Sequence, residues 1–135
     1  MSNELPPPLK TTSGGRSPTI AWLFLSFDGR ITREVYWLGL GLLWCVLFVV
    51  IQALLSTRSE EEAAGFIVLL AIVSLWCEIA LLIKRQHDRG MPWYWCLLAF
   101  VPIAGAAWLI LAGLLPGDTG PNNFGGRTNA PSGTS

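Results

Sequence analysis

Residues Lys84 to Arg89, KRQHDR, hold three cations, one carboxylate and the only histidine of the 135-residue chain. Such a set suggests three kinds of chemistry. His87 beside Asp88 suggests a general acid–base pair, or two ligands of a metal site. The arginines suit carboxylates, because a planar guanidinium grips both oxygens at once. The first two readings lack their other parts. A metal site needs three or four ligands, and Cys45, Cys77 and Cys96 lie apart within apolar runs, with no CxxC spacing and no disulfide framework. Nucleophilic catalysis needs an activated Ser or Cys beside the base, and neither Ser26 nor Ser74 sits in a supporting motif. We therefore expect no catalysis, no cofactor and no metal, and take ion pairing as the better use of these residues.

A second charged stretch, FDGRITRE at 27–34, supplies the partners. Arg30 and Arg33 are candidates for Asp88 or Glu78, and Asp28 for Arg85 or Arg89. The expected cluster is Asp28, Arg30, Arg33, Glu78, Arg85, His87, Asp88 and Arg89, acting as a lock that fixes helix order. Exposed pairs contribute only about 0–1 kcal/mol each, so the lock requires a partly dehydrated setting. Glu78 lies inside an apolar run, where ionisable residues are functional candidates by default; an interhelical pair, a snorkelling carboxylate, proton relay and ion coordination all remain open. His87 is expected to cap its helix or to bond a headgroup phosphate. A lipid role is also open, since Arg16, Arg30, Arg33, Lys84, Arg85 and Arg89 each attract anionic headgroups by about 1 kcal/mol, although the interspersed acids weaken that patch.

The elements that must position these groups are apolar. The chain is 52% hydrophobic and 13% charged, with seven tryptophans and a mean hydropathy of +0.49. Soluble domains average about 25% charged residues. Its net charge of zero gives no reason to expect nucleic acid. Three runs, 37–55, 63–83 and 93–115, each approach or exceed the roughly 20 residues that cross a bilayer, and in lipid each must be helical to satisfy its own backbone. The third contains Pro102 and Gly105 in FVPIAG. It reads as a kinked span or as a re-entrant hairpin that returns to its starting side, because proline removes one helix hydrogen bond.

The remaining segments are short or polar. IAWLFLSF at 20–27 suits a short interfacial helix. Residues 1–18 and 126–135 are Pro-, Gly- and Ser-rich and are expected to be disordered tails, flanking a membrane domain at 19–125. The N-terminal stretch lacks the pattern of a signal peptide, and the dissimilar spans do not support an inverted-repeat transporter core. The expected fold class is thus an all-α membrane protein, a three-helix transmembrane bundle with a short interfacial segment. With the N-terminus cytoplasmic, seven Lys and Arg residues lie inside and two outside, as the positive-inside rule asks. Three spans would then put the C-terminus outside.

FDGRITREVYW resembles the F-x-GR-x-x-R-x-x-(Y/F)-W block of a family of small bacterial inner-membrane proteins of unknown function, typified by YhaH and YhaI. KRQHDRGMPWYWCLLAFVPIAG is similar to that family's R-R-x-H-D and the I-P-x-x-G helix behind it, and PGDTGPNNFG to its closing G-x-x-G-x-N-x-F/Y-G. The resemblance covers residues 20–125. Gln86 stands where leucine is usual, and Asn123 where arginine is common. The likeness implies a multi-pass inner-membrane protein of about three helices and supplies no activity. The expected function is a non-enzymatic scaffold or interaction protein. Its partners would be membrane lipids at the cytoplasmic face, a protein or a second copy; there is no GxxxG in the last run, so self-association stays open. The alternative is a subunit of a small-solute or ion transporter using Glu78.

Overall fold

The computed structural model describes residues 17–132. Most of the expected N-terminal tail lies outside the described residues, as do the final three positions of the C-terminal one. Helices order the rest: α1 (Ile20–Leu25), α2 (Arg33–Thr57), α3 (Glu60–His87), a 3₁₀ helix (Trp93–Phe100) and α4 (Ala104–Leu114). Among the described residues there are no strands, only isolated bridges at Arg30 with Ala130 and Asn122 with Gly125.

Local chemistry sets the ends of the long helices. Thr32 accepts from the Val35 amide at the start of α2, and Ser59 from the Glu62 amide at the start of α3, each filling an orphan donor of the first turn. Glu60, Glu61 and Glu62 occupy the first turn of α3, and Lys84, Arg85 and His87 its last. Both placements complement the helix dipole. These polar ends lengthen the helices beyond the apolar runs 37–55 and 63–83 that they contain. At ~1.5 Å per residue α2 and α3 measure about 37 and 42 Å, enough to cross a hydrocarbon core of about 30 Å. Only Arg58 and Ser59 connect them, so they run antiparallel.

Both helices have the length and apolarity to cross a membrane, and their apolar faces are bare: in their most apolar stretches only 6% of α2 and 28% of α3 is buried. Leu38, Trp44, Phe48, Val49 and Ile72 all stand exposed. Contiguous apolar surface of this size is costly against water and neutral against lipid.

The third run departs from a single straight span. Pro102 and Ile103 break it, and Ile103 adopts a φ of 66°, a conformation β-branched residues rarely take. The two legs then fold onto one another. Trp95 stacks on Trp108 with centroids 5.5 Å apart. Gly105 packs so tightly that a Cβ there would lie 2.1 Å from the Ala99 carbonyl oxygen. The amide of Asp118, just after the hairpin, donates to the carbonyl of Asp88, just before it, at 2.7 Å. Over 93–115 the two legs pack against one another, and among the described residues only α2 and α3 have the length and apolarity of a span.

The return brings the stretch before α2 and the stretch after α4 close together. The Arg30 amide donates to Ala130 O at 3.3 Å and the Asn129 amide to Arg30 O at 2.8 Å, so the stretch leading into α2 and residues 126–132 lie at the same end of the bundle. The Thr32 amide also donates to the Asn129 side chain, a further tie between the two stretches. The core gathers at this end too: Ile31, Tyr36, Leu81, Leu82, Ile83, Cys96 and Ala112. Tyr36 and Trp37 pin α2 to α4 by donating to Leu109 O and Gly113 O.

Candidate functional site

The opposite problem, buried charge, is solved at the same end. Arg30, Lys84, Arg85 and Asp88 are all at most 3% exposed. A buried charge is tolerated only when paired and hydrogen-bonded, so each must find partners, and each does so at a place where the backbone leaves acceptors unused.

Helix C-termini are those places, because the last four carbonyls of a helix have no intrahelical donor. Lys84 serves the end of α1. Its ammonium donates to Leu23 O at 2.8 Å and to Ser26 O, and lies 5.3 Å from the Trp22 ring centre. Arg85 serves the end of α4, donating through Nε to Ala112 O at 2.8 Å and through Nη2 to Leu115 O. Arg30 gathers the loop beyond it: its Nη1 donates to Gly120 O at 2.8 Å and Gly125 O at 3.1 Å, and its Nη2 to Asp118 O at 2.9 Å.

Asp88 joins the two arginines. Its Oδ1 accepts from Arg30 Nε at 3.2 Å and its Oδ2 from Arg85 Nη1. Its room is bounded by Gly117, where a Cβ would lie 1.8 Å from Oδ2; no side chain larger than hydrogen fits. Asn122 completes the knot, donating to His87 O at 2.8 Å and to Asp118 Oδ2 at 2.9 Å.

The expected cluster is therefore brought together in part. Arg30, Arg85 and Asp88 form its centre. His87 touches its edge, stacked on Phe124 at 4.2 Å with Nδ1 3.3 Å from Gly29 O; it does not face Asp88, whose two oxygens are already taken. Arg33 is exposed. It lines an open polar cavity of about 260 Å³ next to Arg85 and Asp88 without pairing to either. Asp28 is exposed and accepts from the Ser132 hydroxyl rather than from Arg85 or Arg89. Arg89 is half-buried, and its Nη1 has no hydrogen-bond partner. Glu78 is apart from the knot, in a cavity beside Trp44. No group of three or more metal-ligating side chains occurs among the described residues.

Three members were not singled out by the sequence. Lys84 reads as one more basic residue at a helix end, and its burial exists only because α1 folds back over it. Asp118 and Asn122 contribute through the closing loop, and the PGDTGPNNFG block was the available signal. Gln86 carries the reverse lesson. It is fully buried, and neither atom of its amide has a partner.

These features define a class: a small all-helical protein with two membrane-length helices, tied at one end by an internal charge network. The chain belongs to the family described as protein of unknown function, DUF805, whose profile matches residues 24–126. Among curated proteins it is similar to the uncharacterized protein YiiR of Escherichia coli K12, at 35% identity over 71% of this chain and 62% of YiiR. It is also similar to the inner membrane proteins YhaI and YhaH of the same organism, at 29% and 27% identity over 76% of this chain and 85% and 86% of theirs. The matched part thus spans less than two thirds of YiiR. No solved structure matches the chain.

Proposed function

We propose that the chain is a multi-pass protein of the bacterial inner membrane with a non-enzymatic role, a scaffold or interaction protein whose rigid cytoplasmic end is held by the Arg30–Asp88–Arg85 network. One observation carries this reading: the cations that would have bound substrate or lipid are instead spent on the protein's own carbonyls. Arg30 and Arg85 aim their guanidiniums inward at the hydrogen-bond acceptors described above. Headgroup contact then falls to the exposed Arg33 and Arg127. The names of YhaI and YhaH support the membrane assignment, as do the bare faces of α2 and α3.

With α2 and α3 crossing and the hairpin turning back, both ends of the membrane domain stay cytoplasmic. Lys10, Arg16, Arg30, Arg33, Lys84, Arg85, Arg89 and Arg127 are then inside and Arg58 alone outside, a stronger positive-inside bias than three spans would give. Single cysteines at Ser59 and Thr128, in a background with Cys45, Cys77 and Cys96 replaced by Ser or Ala, test it in intact cells. Membrane-impermeant maleimide should label Ser59→Cys and spare Thr128→Cys. Labelling of both, or of Thr128→Cys alone, overturns the topology.

A further inference from the structure

Seven residues before Arg85, and so about 10 Å along the axis of α3 at ~1.5 Å per residue, Glu78 faces a cavity of about 330 Å³. The other walls are Trp37, Leu40, Gly41 and Trp44 from α2 and Leu109 from α4. Its position lies below the charged knot, within the apolar run of α3. The volume falls at the low end of small-molecule sites, which run about 300–1,000 Å³.

Charge is what makes this cavity selective. Neither ion pair among the described residues involves Glu78, and every nitrogen of Arg85 is already engaged elsewhere. A carboxylate near hydrocarbon is costly unless something positive meets it. Two indoles share the wall, and their faces attract cations, tryptophan most strongly of the aromatic residues. Trp37 is held in place by its bond to Gly113 O, and Trp44 hydrogen-bonds the carboxylate through its indole N–H, which fixes the carboxylate and leaves its charge unneutralised. No Lys or Arg lines the cavity, so a zwitterionic or anionic lipid would leave its phosphate without a partner.

We propose that this cavity is a binding site for a monocationic amphiphile, an ammonium carrying an apolar chain, with the ammonium on Glu78 between Trp37 and Trp44 and the chain lying in the bilayer. The site requires α2 and α3 to stand in lipid, so membrane residence must be read separately from binding.

The full chain in lipid nanodiscs, titrated calorimetrically with octylammonium and corrected with empty discs, tests this. Size-exclusion of the loaded discs first establishes that each variant is inserted, and a melting curve that it is folded. Wild type should bind saturably, and the uncharged alcohol of the same chain length should not compete. Glu78→Gln should bind about ten- to a hundredfold more weakly, the scale of one charge-assisted contact. Gly41→Leu keeps the carboxylate but fills the cavity. A Cβ at Gly41 meets nothing within 4 Å, so this variant should fold and lose binding. Non-saturable uptake by wild type, or undiminished binding by folded Glu78→Gln, overturns the site. If Glu78→Gln does not fold, Gly41→Leu decides: binding kept overturns the proposal, binding lost supports it.

Discussion

Arg30 and Asp88, 58 positions apart, meet at 3.2 Å inside the bundle, and each is bound to something else that the other alone could not hold. Arg30 reaches three carbonyls of the closing loop, while Asp88 also neutralises Arg85. Removing one partner of a buried pair costs about 3–5 kcal/mol, because the other is left uncompensated. Asp88→Ala and Arg30→Ala should each lower stability by about that amount, read from thermal or denaturant unfolding in detergent.

Exchange of the two charges should not restore what the single changes lose. A carboxylate at position 30 cannot donate to Gly120, Gly125 or Asp118, so the double variant Arg30→Asp with Asp88→Arg should remain nearly as unstable as either single one. Arg30→Lys should fail as well, since an ammonium lacks the fork that spans loop and carboxylate. Full recovery by either would show that attraction between charges, rather than donation to the backbone, holds the loop.

Gln86→Leu should stabilise the protein. Leucine has similar bulk and removes two buried polar atoms that have no partner, a penalty of about 1–3 kcal/mol for each orphaned group. A higher melting temperature is the expected result. An unchanged or lower one would mean that the amide is satisfied in solution.

Two glycines of the closing loop should behave oppositely on replacement by alanine. At Gly117 the new methyl would collide with the Asp88 carboxylate, whereas at Gly120 it meets nothing within 4 Å. Gly117→Ala should cost as much as losing Asp88. Gly120→Ala should stay within about 0.5 kcal/mol of wild type, as open surface positions do. Similar losses at both would show that the loop is not seated on Asp88.

Salt gives an independent check. Dehydrated pairs are screened far less than exposed ones, for which the Debye length falls from about 10 Å at 0.1 M to 3 Å at 1 M. The melting temperature should change little over that range. A marked fall would place the arginines in water.

How much of this was legible depended on which residues had to meet. Apolar length alone reads out α2 and α3, because the bilayer requirement is local to each run. Their true ends lie a few residues further out, set by the caps at Thr32 and Ser59. In the third run Pro102 advertised a break. The direction of the turn depended on Gly105 meeting Ala99 and Trp95 meeting Trp108, contacts that no window of sequence contains. Mixed charges in the first and second blocks pointed to pairing, and Arg30, Arg85 and Asp88 do pair. Arg33 and Asp28 sit one turn and two residues away from Arg30 and point outward, a choice made by the loop geometry rather than by residue type. Lys84 was hidden by its ordinariness, since a lysine at a helix end is usually solvated.

The pairing of Arg30 with Ala130 bears on how the protein is made. A ribosome delivers Arg30 roughly a hundred residues ahead of the stretch that closes over it, at a rate of about 5–20 residues per second. For those seconds the guanidinium has none of its loop carbonyls and Asp88 has no cover, so the two long helices form first as an unfastened pair. The clasp shuts only after Gly117 to Ala130 have been synthesised, which makes that short stretch the step that commits the nascent chain to its finished shape.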